Sequence, residues 1–354
     1  MTNSTFSQSP KYLRLADELR ARIQGGVLAP GDRLPSFSEM YAAHGVTSTT
    51  VNRVHGVLEQ EGLIERIHGK GTFVASRARL TYYIGFLSEQ YSNGTHSPYW
   101  VHLMEGIQSA AHEAGYEVLL LNPKTHAIRW ERVDGLLTFE HDLLDAAAIP
   151  ASLPHISLLN PARRGTAVLA DDLGGTRQLV EHLLELGHTR IGRLAATIGI
   201  QNPLRDAGYF QAMALAKITP EPEWQHALPH PLPDGSFRVA GYDAMTAWLQ
   251  NGWHATGCTA LLCQNDETAL GAMAALHKVG IDIPGEVSVA GFDGTELCEF
   301  AHPTLTSVTV PLRKIGARGV QRVLAQIQSG QPCGESVVLP TTLKIGASTA
   351  PPRC

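Results

Sequence analysis

The chain has 354 residues, with 28 Lys/Arg against 33 Asp/Glu, and 44% of it is hydrophobic. That is an ordinary composition for a soluble globular protein long enough for two or three domains. The five cysteines are odd in number and form no C-x-x-C pair, which argues against a disulfide framework or a structural zinc site and for a reducing compartment. The first fifteen residues lack an apolar core, and no apolar run approaches the ~18 residues that span a bilayer. A cytoplasmic location with no membrane partner is therefore expected.

Charge is unevenly spread. Residues 9–79 carry ten Lys/Arg and seven Asp/Glu, leaving 18 against 26 for the remainder. A small basic module on a larger acidic body points to one part that meets a polyanion and one that does not.

Residues Pro10 to Ala75 read as three helices and a hairpin. Leu13, Ala16, Leu19 and Ile23 make a helical stripe that Gly25-Gly26 ends. Ser36-Phe37-Ser38-Glu39 is a capping box opening a short second helix through His44. Gly45 ends that helix, and Thr47 caps a third over about Ser48 to Gln60. Two short helices joined by a Gly-containing turn match a helix-turn-helix, whose second helix enters a major groove. Leu63 to Val74 then alternates in strand fashion around Gly69-Lys70-Gly71, giving a β-wing with a cationic tip.

The PGDRLPS turn, GVTSTTV, the EGL junction and HGKGTFV together resemble the winged helix-turn-helix of the GntR family. The resemblance implies DNA contacts from the second helix, the start of the recognition helix and the wing tip, which fall here on Ser38, Ser48, Asn52 and His68-Gly69. The candidate DNA-facing set is Ser36, Ser38, Thr47, Ser48, Thr49, Thr50, Asn52, Arg53, His68, Gly69 and Lys70. Where the family often has Arg, this chain has Ser38, Ser48 and Asn52. Arg suits guanine, Asn suits adenine and Ser is permissive, so an operator unlike the commonest family sites is expected. Arg53 lies about 100° from Asn52 around an ideal helix and is expected to hold phosphate.

Ser76 to Leu80 is short and basic, and residues 76–81 are read as a linker. From Tyr82 the pattern is strand, loop, helix, repeatedly. Tyr83 to Leu87 is a buried-strand run, Ser97-Pro98-Tyr99-Trp100 opens a helix, and Glu117 to Leu121, Val133 to Leu137 and Pro154 to Leu159 follow as strands. A second series begins after Asp171-Asp172, with a helix over 174–187, a strand near Ile191 and a helix opened by Leu204 to Tyr209. Thr259 to Asp293 is a β-α-β unit: strand Ala260 to Cys263, the Asn265-Asp266 cap, a helix ended by Gly280, and strand Val287 to Ala290. Such alternation implies parallel sheets with helices on both faces, and ligands bind such sheets at the carboxyl ends of the strands.

DDLGGTRQLVEHLLELGHTRIG, LRDAGYFQAM, NDETALGAMAALHKVGIDIPGEVSVAGFD and HPTLTSV resemble the effector-binding core of LacI/GalR repressors, which is similar to periplasmic sugar-binding proteins. A GntR-type head on such a core resembles the arabinose-repressor arrangement. The helix with which LacI proteins enter the minor groove has no counterpart in Ser76–Leu80. The resemblance implies polar effector contacts at Arg205, Asn265 and Asp293, an aromatic pair at Tyr99-Trp100, and Phe292 beside Asp293. Vicinal hydroxyls suit carboxylate and guanidinium groups, and a pyranose face suits an aromatic platform.

The expected fold is thus α/β: a small winged helix-turn-helix over 9–75, then a two-lobed, type I periplasmic-binding-protein-like domain over 82–354. The first lobe is assigned 82–170 plus 310–332, and the second 171–309 plus 333–354. His226-x-x-x-His230 lies in a Pro-rich loop and is not read as a metal site, and Asp171-Asp172 is not read as a catalytic pair because adjacent side chains diverge. No cofactor is expected. The expected function is a dimeric transcriptional regulator, a repressor, binding double-stranded operator DNA under control of a small effector, a sugar. The alternatives are a cytosolic binding protein or enzyme with an inert head, and a regulator answering to a purine or phosphorylated sugar.

Overall fold

The computed structural model describes residues 10–75, 80–88, 97–122, 128–139, 149–161, 165–195, 202–230 and 232–353. Residues 76–79, which hold most of the expected linker with Arg77 and Arg79, lie outside the described residues. The chain divides into two compact units, one running to Tyr83 together with 129–134, the other comprising 84–128 and 135–354. Residues 129–134 join the first unit because Asp134 accepts from Thr81 N, Thr81 Oγ1 and Tyr82 N at 2.8, 2.9 and 2.8 Å.

The head is built on α1 (Lys11–Gln24), α2 (Phe37–His44) and α3 (Ser48–Gln60). The capping box is present as expected: Glu39 N donates to Ser36 Oγ at 3.4 Å and Ser36 N to Glu39 Oε2 at 2.6 Å. Thr47 Oγ1 caps α3 by accepting from Thr50 N at 3.3 Å. Gly45 takes a left-handed φ of 57° between the two helices, a conformation that a Cβ disfavours. Leu19, Met40, Val54 and Leu58 meet in the core. Strands β1 (Ile64–Ile67) and β2 (Gly71–Val74) pair antiparallel around the His68–Lys70 turn. The preceding PGDRLPS segment adds a third ribbon to this wing, with Gly31 N donating to Val74 O at 3.0 Å and Leu34 N to Thr72 O at 2.9 Å. That pairing went unforeseen because the Pro-rich run lacks strand periodicity.

The body contains two six-stranded sheets. The first has the order β4 (Glu117–Leu121), β3 (Tyr83–Leu87), β5 (Gly135–Thr138), β6 (His155–Leu158), β7 (Thr166–Ala170), β13 (Val337–Leu339). The second has the order β9 (Gln225–Ala227), β8 (Ile191–Ala195), β10 (Ala260–Cys263), β11 (Ser288–Asp293), β12 (Thr306–Thr309), β14 (Thr342–Lys344). Pairing from β3 to β13 and from β9 to β12 is parallel, and β14 runs antiparallel to β12. Their central strands are buried along their length, as parallel strands covered on both faces should be.

Helices α4 (Pro98–Glu113) and α11 (Leu312–Ser329) pack together in the first lobe. A Cβ on Gly106 would stand 2.1 Å from Arg313 O, and one on Gly316 would stand 2.5 Å from Leu103 O. Only glycine lets the two backbones come so close. The second lobe carries α5 (Asp172–Glu185), α6 (Pro203–Leu215), α7 (Phe237–Gln250), α8 (Trp253–Thr256), α9 (Asp266–Lys278) and α10 (Leu297–Phe300).

The chain passes between lobes three times: after β7, after β12 and between β13 and β14. At this junction Asp171 N donates to Leu339 O at 2.9 Å and Thr341 Oγ1 to Asp171 O at 3.1 Å. The expected division placed all of 333–354 in the second lobe, but β13 pairs with β7 in the first sheet. Only the chain from about Thr341 onward returns to the second lobe. Strand β11 also runs through Gly291, Phe292 and Asp293, further than expected, because Ala290–Asp293 pairs with Thr306–Thr309.

Candidate functional site

In the head, α3 buries Val51, Val54 and Leu58, while Ser48, Thr49, Asn52 and Arg53 are exposed. Ser38 on α2 is exposed too, as are His68, Gly69 and Lys70 at the wing turn, where Gly69 has a φ of +74°. Ser36, Thr47 and Thr50 have cap roles: Ser36 closes its box, and Thr47 Oγ1 lies 3.1 Å from Thr50 Oγ1. Arg53 leans back toward α1, its guanidinium carbon 6.0 Å from the Tyr12 ring centroid. Arg66 on β1 ties the wing to α3, bonding Glu59 at 3.1 Å and reaching Asn52 O at 3.5 Å.

In the body, the carboxyl ends of β8, β10 and β11 converge on Arg205, in the first turn of α6. Its Nε donates to Asp172 Oδ1 at 2.7 Å, Nη1 to Gln264 O at 2.7 Å and Nη2 to Asp293 Oδ1 at 3.3 Å. The guanidinium carbon lies 3.7 Å from the Phe292 ring centroid. A guanidinium has five N–H donors, so this arrangement leaves two of them uncommitted among the described residues. Burial pulls the Arg205 pKa down, but Asp172 and Asp293 more than offset it, and the group ends above its ordinary value.

Asp293 sits at φ 111°, in the left-handed half of backbone space where a non-glycine residue is strained. Such strain concentrates where a side chain has to be aimed. Burial pushes the Asp293 carboxyl up, and the Arg205 guanidinium opposes that push. Tyr99, at the start of α4, feels the same charges: burial raises its phenol well above the usual value, Asp293 raises it further, and Arg205 opposes.

The structure thus brings Tyr99, Arg205, Phe292 and Asp293 together. Trp100 is 5% exposed and meets Phe139 edge-on at 4.5 Å, so it belongs to the first-lobe core. Asn265 spends its amide oxygen on the cap of α9, accepting from Thr268 N at 2.9 Å and Thr268 Oγ1 at 2.7 Å, which leaves its amide NH2.

Two carboxylates escaped the sequence reading. Asp171 and Asp172 do diverge: Asp171 caps α5 by accepting from Gly174 N at 2.8 Å, while Asp172 turns to Arg205. Asp266, directly after Asn265, is 1% exposed, and its oxygens accept from Thr295 N at 2.8 Å, Thr295 Oγ1 at 3.1 Å and Ser307 Oγ at 2.5 Å. It anchors the segment that follows Asp293. Behind Arg205, the buried Arg193 bonds Asp206, and Gln225 at 3.0 Å. Among the described residues no group of His, Cys, Asp and Glu is arranged to hold a metal, and His226 stacks on Trp248.

Two family models match the chain, one over the head and one over part of the body. Residues 11–74 match "Bacterial regulatory proteins, gntR family", and residues 180–349 match "Periplasmic binding protein-like domain". Over 213 residues the chain is 32% identical to the HTH-type transcriptional regulator GalR of Escherichia coli (strain K12), covering 58% of this chain and 59% of that protein. It is 25% identical over 355 residues to the arabinose metabolism transcriptional repressor of Geobacillus stearothermophilus, covering 90% and 92%. Among solved structures, a complex of the transcriptional regulator CelR with cellobiose superposes with a TM-score of 0.66 at 22% identity, covering 87% of this chain and 93% of that one. A LacI family regulator from Enterococcus faecium with bound ribose superposes at 0.65 and 26% identity, covering 76% and 99%. Among the described residues no helix is long and apolar enough to cross a membrane. The chain thus carries a GntR-type winged head and a periplasmic-binding-protein-like body, and its similarities run to transcriptional regulators, with that to the arabinose repressor extending over nearly the full length of both chains.

Proposed function

We propose that the protein is a cytoplasmic, homodimeric repressor whose hold on operator DNA is set by a neutral sugar bound between the two lobes of its body. The observation that carries the choice of ligand is the charge balance around Arg205. Its guanidinium already faces Asp172 and Asp293, and Arg193 behind it faces Asp206. Among the described residues no surplus of positive charge remains there for a phosphate. Two spare N–H donors and two partly committed carboxylates suit hydroxyl groups, which both accept and donate. One face of the Phe292 ring is covered by the guanidinium, which disfavours a flat purine stacked on that side.

Effector and DNA are linked through lobe closure. A sugar that binds the closed body better than the open one shifts the body toward closure, and closure resets the spacing of paired heads on operator half-sites. In the head, Ser38, Ser48, Thr49, Asn52 and the His68-Gly69-Lys70 tip meet the DNA. Neutral Ser and Asn at these places leave much of the affinity to phosphate contacts. Ribose and cellobiose, named with two of the similar structures, make a sensible start to a screen.

The test is a thermal-unfolding screen of neutral monosaccharides and disaccharides beside their phosphates, followed by operator binding with each hit. A neutral sugar is expected to raise the midpoint of the body's transition and to change operator affinity. Stabilisation by phosphorylated sugars alone would overturn the neutral-ligand reading.

A further inference from the structure

The structure also joins the two lobes by a side-chain pair beside the crossing after β12, where Val310 N donates to Asp293 O at 3.0 Å. His102 lies on α4 in the first lobe, and its Nε2 stands 3.2 Å from Glu296 Oε2, in the second-lobe turn that caps α10. The other ion pairs of the body between described residues each stay within one lobe: Arg313 with Glu105 in the first, and Arg177 with Glu181, Arg193 with Asp206, Arg205 with Asp172 and Asp293, Lys344 with Glu299 and Arg353 with Asp282 in the second. We propose that His102 and Glu296 form a latch that holds the lobes together and positions the segments bearing Tyr99 and Asp293.

Three observations carry this. First, the pair joins α4 of the first lobe to the second-lobe segment after β11, so its length changes with the angle between the lobes at the adjacent crossing. Second, each partner is one short step from the polar site. His102 follows Tyr99 by three residues on the same helix, and so shares a face with it. Glu296 follows Asp293 by three residues in the segment that Asp266 anchors through Thr295. Third, competing partners on the neighbouring elements are already engaged. Glu105 on α4 bonds Arg313 of α11 at 2.6 Å, and Glu299 on α10 bonds Lys344 of β14 at 2.6 Å. Among the described residues, Glu296 is the carboxylate left facing His102.

The His102 side chain is 19% exposed and that of Glu296 is 49% exposed, so the bond is worth little in absolute terms. A latch needs little. An open–closed equilibrium near balance responds to small differences, and loss of an exposed pair changes such a ratio by about 2- to 5-fold. His102 and Glu296 act on the effector through Tyr99 and Asp293, and are positioning residues.

The latch rests on reading the body as a hinged effector domain, yet its test needs no effector and so can fail separately from the sugar reading. Spin labels placed on the full chain at Gln108→Cys in the first lobe and Ala274→Cys in the second, with Cys333 and Cys354 changed to Ser, report the separation of the lobes. His102→Ala and Glu296→Ala are each expected to lower the closed-to-open ratio by about 2- to 5-fold. The double variant should do no more than either single one, and His102→Gln, which keeps a donor at the same reach, should restore the parent distribution. Unchanged distances in both alanine variants would overturn the latch, as would losses that simply add in the double variant.

Discussion

The Arg205 guanidinium lies over the Phe292 ring, 3.7 Å from its centroid, while its edge bonds Asp172 and Asp293. Stacking and pairing together leave it little freedom, and its spare donors are presented by a held plane. Replacing Arg205 with Ala strips the counter-charge from two buried carboxylates. A loss of about 3–5 kcal/mol in body stability is expected, together with loss of sugar binding. Lysine cannot make the same fork and should recover only part of the stability. Denaturant unfolding of the three proteins measures the order.

Acid should loosen the second lobe through His188. Its ring lies 1% exposed, with Nδ1 2.8 Å from Thr259 Oγ1 and Nε2 2.9 Å from Ala350 O. Burial lowers its pKa, and the bond to Ala350 opposes this. A depressed folded value means that the stabilising contribution is complete above about pH 6.5 and is lost as pH falls through the folded value. The unfolding midpoint of the parent should therefore drop between about pH 7 and 5, and less steeply in His188→Asn. Burial also lowers His55, His182 and His226, so some slope will persist in the variant. Equal slopes would refute the assignment.

In the head, Ser36→Ala removes the acceptor that caps α2 and should cost about 1 kcal/mol of head stability. Since α2 carries Ser38, proposed above to meet the DNA, operator affinity should fall with it. Ser36→Asp keeps an acceptor there and should largely restore both. Circular dichroism during urea unfolding, beside operator titration, reads the two effects.

Contacts with DNA divide by salt dependence. Lys70→Ala at the wing tip should weaken binding to every sequence alike and reduce the slope of log affinity against log salt by about 1. Asn52→Ala should leave the slope alone and relax the preference at one base pair by about 1–3 kcal/mol. Fluorescence anisotropy over a salt series, with operator and scrambled duplexes, separates these outcomes.

Local chemistry made much of the architecture legible. Ser36 and Glu39 announced α2, Thr47 announced α3, and Asn265 announced α9, because a cap is a relation between neighbours in sequence. Asp172 was passed over for the complementary reason. Its divergence from Asp171 follows from backbone geometry, but its partner, Arg205, is brought near only by the packing of α5 with α6. Trp100 looked like a platform for a ring, yet it faces Phe139 in the core. A helix start shows that two aromatics are adjacent, not which one the fold turns inward. The change of sheet at β13 was hidden as well, since three residues of strand carry no mark of which sheet they will join.

That change of sheet bears on how the molecule is made. Val337–Leu339 completes a sheet that opens at Tyr83, and α11 covers it from residue 312 onward. During vectorial synthesis the helices and hairpin of the winged head are complete once Val74 has emerged, while the body's first sheet stays one strand short until Leu339 has left the ribosome. A nascent chain of this kind would carry a finished DNA reader long before it owned the regulator that governs it.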